Sequence, residues 1–106
     1  MEFKHALIIA ILNEGQSDSV MNAAREAGAT GGTVLHAKGT GSRETGKFLS
    51  VSIAEEKEVI LIVSKSEEKS EIMRSILRKA GPDTPAKAVV FSLPTSEVAG
   101  FGFFDS

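Results

Sequence analysis

Two short runs of apolar residues constrain the fold of this chain more than any other feature. The first run covers residues 6–12 and the second covers residues 59–63. Both are too short for typical buried helices and are rich in branched aliphatic side chains, so they predict strands that are buried on both faces. Each run is followed by a segment whose apolar residues recur at helical spacing. The chain therefore begins each half with a strand and then a helix.

The signals that begin and end helices support both predicted helices. In the first half, Ser17 suits the N-cap, and Gly28 suits the position just after the C-terminus. In the second half, Ser66 suits the N-cap, and Gly81 followed by Pro82 ends the helix. The predicted apolar stripes consist of Val20, Met21, Ala24 and Ala27 in the first helix and of Ile72, Met73, Ile76, Leu77 and Ala80 in the second.

A second strand is predicted in each half after the helix. Residues 31–38 indicate a strand opened by glycines, and residues 88–93 indicate a strand that Pro94 ends. Between the halves, residues 48–53 alternate weakly, as an edge or loop strand does. The acidic residues Glu55, Glu56 and Glu58 are most simply a solvated charge run in a turn or at a strand start.

The two halves repeat, which predicts the topology. A shift of 53 residues places Ala80 on Ala27, Ser70 on Ser17 and Leu61 on Ile8. Two strand–helix–strand halves give the order βαββαβ, an α+β ferredoxin-like domain over residues 1–106 with a four-stranded antiparallel sheet and both helices on one face. The other face would expose a large apolar patch, so we expect other subunits to cover it, in a ring of two or three.

Composition excludes several classes of function. The formal net charge of −2 gives no support for nucleic-acid binding, and the absence of cysteine excludes disulfides and thiolate metal sites. The longest apolar run is far shorter than a bilayer span, and the N-terminal residues lack a signal-peptide layout. We expect a cytoplasmic protein that does not itself span a membrane and needs no metal.

The segment over residues 31–41, GGTVLHAKGTG, resembles the second strand of the PII signal-transduction family. The end of the fourth predicted strand, Phe91-Ser92-Leu93-Pro94 with Glu97 nearby, resembles the end of the fourth strand in that family. The resemblance covers nearly the whole chain. It implies a homotrimer that binds an adenine nucleotide (ATP, ADP or AMP) in clefts between subunits. It also implies a regulatory, non-enzymatic protein that controls a membrane transporter or a metabolic enzyme through a projecting loop, here residues 39–50.

The resemblance assigns the candidate site residue by residue. Thr33 matches a threonine near the adenine, Gly39 and Gly41 match glycines at the base of the projecting loop, and Lys38 precedes them as in the family. Lys87 is the cation of the loop after the second helix. The chain departs from the family in its shorter projecting loop, in having no tyrosine and in having no arginine after residue 78. A trimeric scaffold or interaction module without a nucleotide is therefore the alternative function.

Other motifs favour simpler interpretations. Residues 41–47 nearly match the P-loop pattern, but Phe48 replaces the required Ser or Thr and a strand, not a helix, is predicted to follow. His36 should share a strand face with Lys38, and a lone histidine is usually a surface or packing residue. The aromatic residues of the tail, within residues 101–104, either pack against the domain or else cover a cleft or dock a partner. A small enzyme is disfavoured because no acid–base pair has diagnostic spacing.

Overall fold

A computed structural model describes residues 3–40 and 54–100 of the chain. The sheet has the strand order β2-β3-β1-β4, and each neighbouring pair of strands is antiparallel. The elements are β1 (His5–Asn13), α1 (Ser17–Glu26), β2 (Thr33–Thr40), β3 (Ala54–Lys65), a 3-10 turn (Ser66–Glu68), α2 (Lys69–Ala80) and β4 (Val89–Thr95). This is the ferredoxin-like arrangement that the repeat predicts. The strand predicted for residues 48–53 lies outside the described residues.

Alternation along the two central strands separates the two faces of the sheet. On β1, the even-numbered positions from Ala6 to Leu12 are buried beneath the helices, whereas Leu7, Ile9 and Ile11 are only partly buried. Ile60 and Ile62 of β3 belong to the buried face as well. The core between sheet and helices consists of Ile8, Ala10, Leu12, Val20, Met21, Ala24, Ala29, Ile60, Ile62, Ile72, Ile76, Ala80, Ala86 and Ala88.

The two helices pack side by side on that face. Their contact includes a hydrogen bond in which the Ser75 hydroxyl of α2 donates to the Ala23 carbonyl of α1 at 2.8 Å. The predicted stripe of α2 is wrong at Leu77, whose exposed fraction is 43%. Ser75 is buried although Leu77 is not, and its burial is possible because its hydroxyl has a backbone acceptor within the core.

The spacing between equivalent residues of the two halves is one residue shorter than predicted. Equivalent buried positions are separated by 52, as Ile72 and Val20 show (72 − 20 = 52). The first residues of the two helices, Ser17 and Lys69, differ by the same number (69 − 17 = 52). The predicted shift of 53 placed Leu61 on Ile8, although these residues lie on opposite faces of the sheet. Side chains alternate between faces, so an error of one residue exchanges the faces.

The predicted serine caps are wrong, whereas the glycine signals are confirmed. Gln16 is the N-cap of α1 and makes no side-chain cap bond, and Ser17 is the first helical residue. The Ser66 hydroxyl donates to the Phe3 carbonyl at 2.5 Å and so ties the 3-10 turn to the start of the chain. Gly28 follows the C-cap of α1 with a φ of +116°, a conformation that favours glycine.

One predicted exposure and one predicted strand boundary are also wrong. Strand β3 begins at Ala54, so residues 55–58 lie at the start of a strand, which is one of the two predicted alternatives, and not in a turn. Glu58 is buried, with an exposed fraction of 7%, and is not part of a solvated charge run. Strand β4 continues through Pro94 to Thr95. Proline is tolerated there because β4 is an edge strand.

The face of the sheet opposite the helices, here called the open face, is not covered by any described part of the chain. The side chains of Val89, Leu93, Leu35 and Phe91 are exposed to 61%, 50%, 46% and 40%. All four lie on the open face, because they pair in register with odd-numbered residues of β1 or with Val59 of β3. The uncovered apolar face that the topology predicts is confirmed for the described residues. None of the helices in those residues is long and apolar enough to cross a membrane.

Candidate functional site

The predicted site residues lie on different strands and loops of the sheet. Thr33 and Gly39 lie on β2, roughly 20 Å apart at the usual rise per residue of a strand. Lys87 precedes β4, on the opposite edge of the sheet. Gly41 lies outside the described residues.

The side chains of β2 divide between the two faces. Lys38 pairs in register with Glu56, on the same side of the sheet as the helices, and its ammonium lies 3.9 Å from the Glu56 carboxylate. The Lys38 side chain is 71% exposed, so this ion pair is weak. Thr33 and Gly39 belong to the open face instead. Lys38 and Gly39 thus occupy positions on opposite faces of the sheet.

The loop between α2 and β4 is closed by its own hydrogen bonds. The backbone N–H groups of Thr84, Lys87 and Ala88 donate to carbonyls within residues 80–84, and prolines at positions 82 and 85 have no N–H to offer. Lys87 has a φ of +47°, and its ammonium lies 3.5 Å from the Pro82 carbonyl. Few N–H groups of this loop therefore remain for an anion, in contrast to a glycine-rich phosphate loop.

A polar network joins this loop to the central strands where β1 ends. The backbone N–H of Asn13 donates to the Ala86 carbonyl at 2.9 Å, and its side-chain amide donates to the Pro85 carbonyl at 2.8 Å. The Lys57 ammonium of β3 donates to the Asn13 side-chain oxygen at 2.7 Å. These three hydrogen bonds fix the C-terminal end of β1, the start of β3 and residues 81–88 relative to one another.

A buried carboxylate on the other face of the sheet holds the start of α1. The Ser17 hydroxyl donates to Glu58 Oε1, and the backbone N–H groups of Gly15 and Ser17 also donate to this carboxylate. The N–H of Ser17 is one of the first four of α1, which have no acceptor within the helix, and Glu58 satisfies it from β3. Sequence analysis missed this contact, because a cap provided by a distant strand leaves no local signal.

These contacts determine the titration of Glu58. The hydrogen bond from Ser17 lowers the pKa of the Glu58 carboxyl below its ordinary value of 4.5, and burial opposes that change. The N–H groups of Gly15 and Ser17 lower this pKa further, as does the nearby charge of His36. The net effect is a lowered pKa, so Glu58 is a carboxylate at neutral pH.

His36 lies beside this carboxylate and is mostly exposed. Its Nδ1 is 3.9 Å from Glu58 Oε2, and 73% of its side chain is exposed. His36 and Lys38 share a strand face, as the sequence predicts. No group of three or more His, Cys, Asp or Glu side chains within residues 3–40 and 54–100 could hold a metal ion.

The fold and the strand motif together define a class of protein. A ferredoxin-like domain with an open apolar sheet face carries a glycine-rich motif at the end of its second strand. Residues 5–101 match the sequence profile of the family described as Nitrogen regulatory protein P-II. This match covers most of the chain, so the protein belongs to the PII family of signal-transduction proteins, and the predicted family is confirmed.

A solved structure agrees with this assignment. The chain is similar to the PII protein of Arabidopsis thaliana, whose crystal structure was determined with bound citrate. The TM-score is 0.70, the sequence identity is 21%, and the match covers 97% of this chain and 85% of the Arabidopsis chain. At this identity the similarity supports the fold. No curated protein sequence matches the chain.

Proposed function

We propose that this protein is a homotrimeric PII-type regulator whose clefts between subunits bind an adenine nucleotide or a similar small anion. The observation that carries the proposal is the family match across residues 5–101, which includes the motif of β2. The binding residues in this proposal are Thr33, Lys38, Gly39, Gly41 and Lys87. They would act without catalysing a reaction.

The open face of the sheet supports the trimer. Its exposed aliphatic and aromatic side chains form a surface that soluble monomers rarely leave uncovered. Closed symmetry explains how several copies can cover such faces without forming fibres. The positions of the predicted ligand residues at opposite edges of the sheet fit the same arrangement, because a cleft between subunits would be lined by edges of two protomers.

The proposed readout is regulation of a partner protein through residues 39–50. A bound anion would contact the base of that segment at Gly39 and Gly41 and would change what the partner meets. The partner in this proposal is a membrane transporter or a metabolic enzyme, and the protein acts in the cytoplasm. Citrate in the Arabidopsis protein supports a small anion as ligand.

Calorimetric titration with ATP, ADP and AMP at near-millimolar concentration tests ligand binding. Light scattering on the same samples measures the mass and tests the trimer independently. Saturable binding of at least one nucleotide to a trimer is the expected result. Absence of binding would refute the nucleotide proposal, and a stable monomer would refute the arrangement of the clefts.

The second candidate function is a trimeric scaffold or interaction module without a nucleotide. Two observations favour it. The chain has no arginine after Arg78 that could hold phosphates, and the loop over residues 81–88 uses its N–H groups internally. A trimer that binds no nucleotide but still captures a partner would support this second function.

A further inference from the structure

Two consecutive residues at the start of β3 serve the two faces of the sheet. Neighbouring side chains of a strand point to opposite faces. Lys57 pairs in register with Asn13, the last residue of β1, and belongs to the open face. Glu58 pairs in register with Leu12, which is buried beneath the helices. The start of β3 can therefore hold different parts of the chain on its two sides.

The contacts of these two residues converge on the connection between β1 and α1, residues 13–17. On the open face, the Lys57 ammonium donates to the Asn13 side-chain oxygen at 2.7 Å. On the helix face, the Glu58 carboxylate accepts from the Ser17 hydroxyl and from the N–H groups of Gly15 and Ser17. The connection is therefore held at both of its ends, and each end is held from a different face of the sheet.

Asn13 extends these contacts to the loop before β4, residues 81–88. Its backbone N–H donates to the Ala86 carbonyl at 2.9 Å, and its side-chain amide donates to the Pro85 carbonyl at 2.8 Å. The loop is closed in turn by the N–H of Ala88, which donates to the Ala80 carbonyl at 2.8 Å. A continuous set of hydrogen bonds thus runs from the start of β3 through the β1–α1 connection to this loop.

We propose that residues 55–58, 13–17 and 81–88 open and close as one cooperative unit, here called the coupled unit. Only 9% of the Glu58 side chain and 22% of the Lys57 side chain are exposed. Separation of β3 from the β1–α1 connection would leave a partly buried carboxylate and a partly buried ammonium without these partners, which is costly. Because both groups hold the same short connection, their contacts are expected to break together, as local openings of proteins do in contiguous units.

The coupled unit is a conformational device that goes beyond the proposed function, because hydrogen bonds within one chain define it and no ligand is needed. The chain leads from residues 39–50 into the start of β3, and Lys87 lies in the loop before β4. Coupling between two parts of a protein is reciprocal. A change at the loop before β4 should therefore alter the opening of the start of β3, and the reverse.

Native-state hydrogen exchange on the full chain tests the unit without any substitution. Four backbone N–H groups report on it, and they are those of Asn13, Gly15, Ser17 and Ala88. We expect these four groups to share one opening free energy and one dependence on low concentrations of denaturant. The N–H of Ser66, which donates to the Lys4 carbonyl at the other end of the sheet, should not share them.

Two variants test the coupling across the sheet. Glu58→Gln should accelerate exchange of the Asn13 and Ala88 N–H groups roughly tenfold, although these groups donate to carbonyls of the loop before β4 and of α2. Asn13→Ala should accelerate exchange of the Ser17 N–H to a similar extent. Thr95→Val is the matched control, because it removes a side-chain hydrogen bond to β1 at the opposite end of that strand and leaves the unit intact.

The outcomes are decisive in each case. Unrelated opening free energies of the four N–H groups in the wild type would overturn the coupled unit. So would an equal acceleration by Thr95→Val and Glu58→Gln, since the groups would then exchange by unfolding of the whole chain. If Glu58→Gln does not fold, the wild-type measurement and Asn13→Ala decide. None of these measurements includes a nucleotide, so failure of the coupled unit leaves the proposed function standing.

Discussion

Replacement of Glu58 by glutamine should reveal how strongly the start of α1 depends on a carboxylate from β3. The Glu58 side chain is only 9% exposed and accepts from Ser17 and from two backbone N–H groups. Glutamine has nearly the same shape but replaces one acceptor oxygen with an NH₂ group, which would face donors. The substitution also removes a negative charge from the positive end of a helix dipole.

The expected cost follows from these contacts. Loss of a helix cap costs about 0.5–2 kcal/mol, and hydrogen bonds to charged groups contribute roughly 1.5–3 kcal/mol. These terms overlap because they describe the same contacts, so we expect Glu58→Gln to lower the free energy of unfolding by about 1–3 kcal/mol. For a domain of about this size, each kcal/mol lowers Tm by roughly 4–8 °C.

Thermal and urea unfolding at pH 7 measure this effect, at one fixed protein concentration because the proposed assembly would contribute to apparent stability. Glu56→Gln is the matched control, since Glu56 lies two residues away on the same strand and its side chain is 53% exposed. The control should change the free energy of unfolding by less than about 0.5 kcal/mol. Equal effects of the two substitutions would refute the role of Glu58.

The pH dependence gives a second readout for the same variant. The pKa of Glu58 is lowered in the folded protein, so its stabilisation is fully present above the ordinary value of 4.5. That stabilisation is lost as the pH falls through the lowered pKa. Glu58→Gln has no titrating group there, so its deficit relative to the wild type should shrink below pH 4.5. A deficit that is the same at pH 7 and at pH 3 would contradict this reasoning.

Three further predictions concern the packing of the protomer and the open face. Gly81→Ala should destabilise the fold by about 1–3 kcal/mol, because the added Cβ would lie 2.5 Å from the Leu77 carbonyl oxygen. Gly31→Ala should be tolerated, because its added Cβ would have nothing within 4 Å. Chemical denaturation of the two variants compares their free energies of unfolding. Leu77→Ala should cost less than about 0.5 kcal/mol and Ile76→Ala about 2–5 kcal/mol in the same assay, and the reverse order would contradict the observed register of α2. Leu93→Asp should leave the protomer folded but reduce the mass measured by light scattering, and an unchanged trimer would refute the proposed use of the open face.

Much of the fold could be predicted because its signals are local. The apolar runs of β1 and β3, the helical spacing and the glycine after α1 each depend on neighbouring residues alone. The register of the repeat could not be predicted in the same way. Leu77 is as apolar as Ile76, and only the tertiary position of α2 decides that one is exposed and the other buried.

The polar contacts of the candidate site were harder to predict, because their partners are far apart in the sequence. Glu58 is one of three glutamates within residues 55–58, and nothing local distinguishes the one that meets Ser17, 41 residues earlier. Lys57 likewise depends on Asn13, which is 44 residues away. Thr33, Lys38, Gly39, Gly41 and Lys87 were chosen by resemblance to a family, and their role in binding stays a prediction.

The alternation along β1 means that a single strand meets two different sets of requirements. Its even-numbered side chains lie in the core between the sheet and the helices, so their size and shape affect whether the chain folds. Its odd-numbered side chains lie on the open face, so their chemistry affects what a folded chain contacts. Substitutions at every second residue of β1 can therefore change what the open face contacts without changing the side chains of the core.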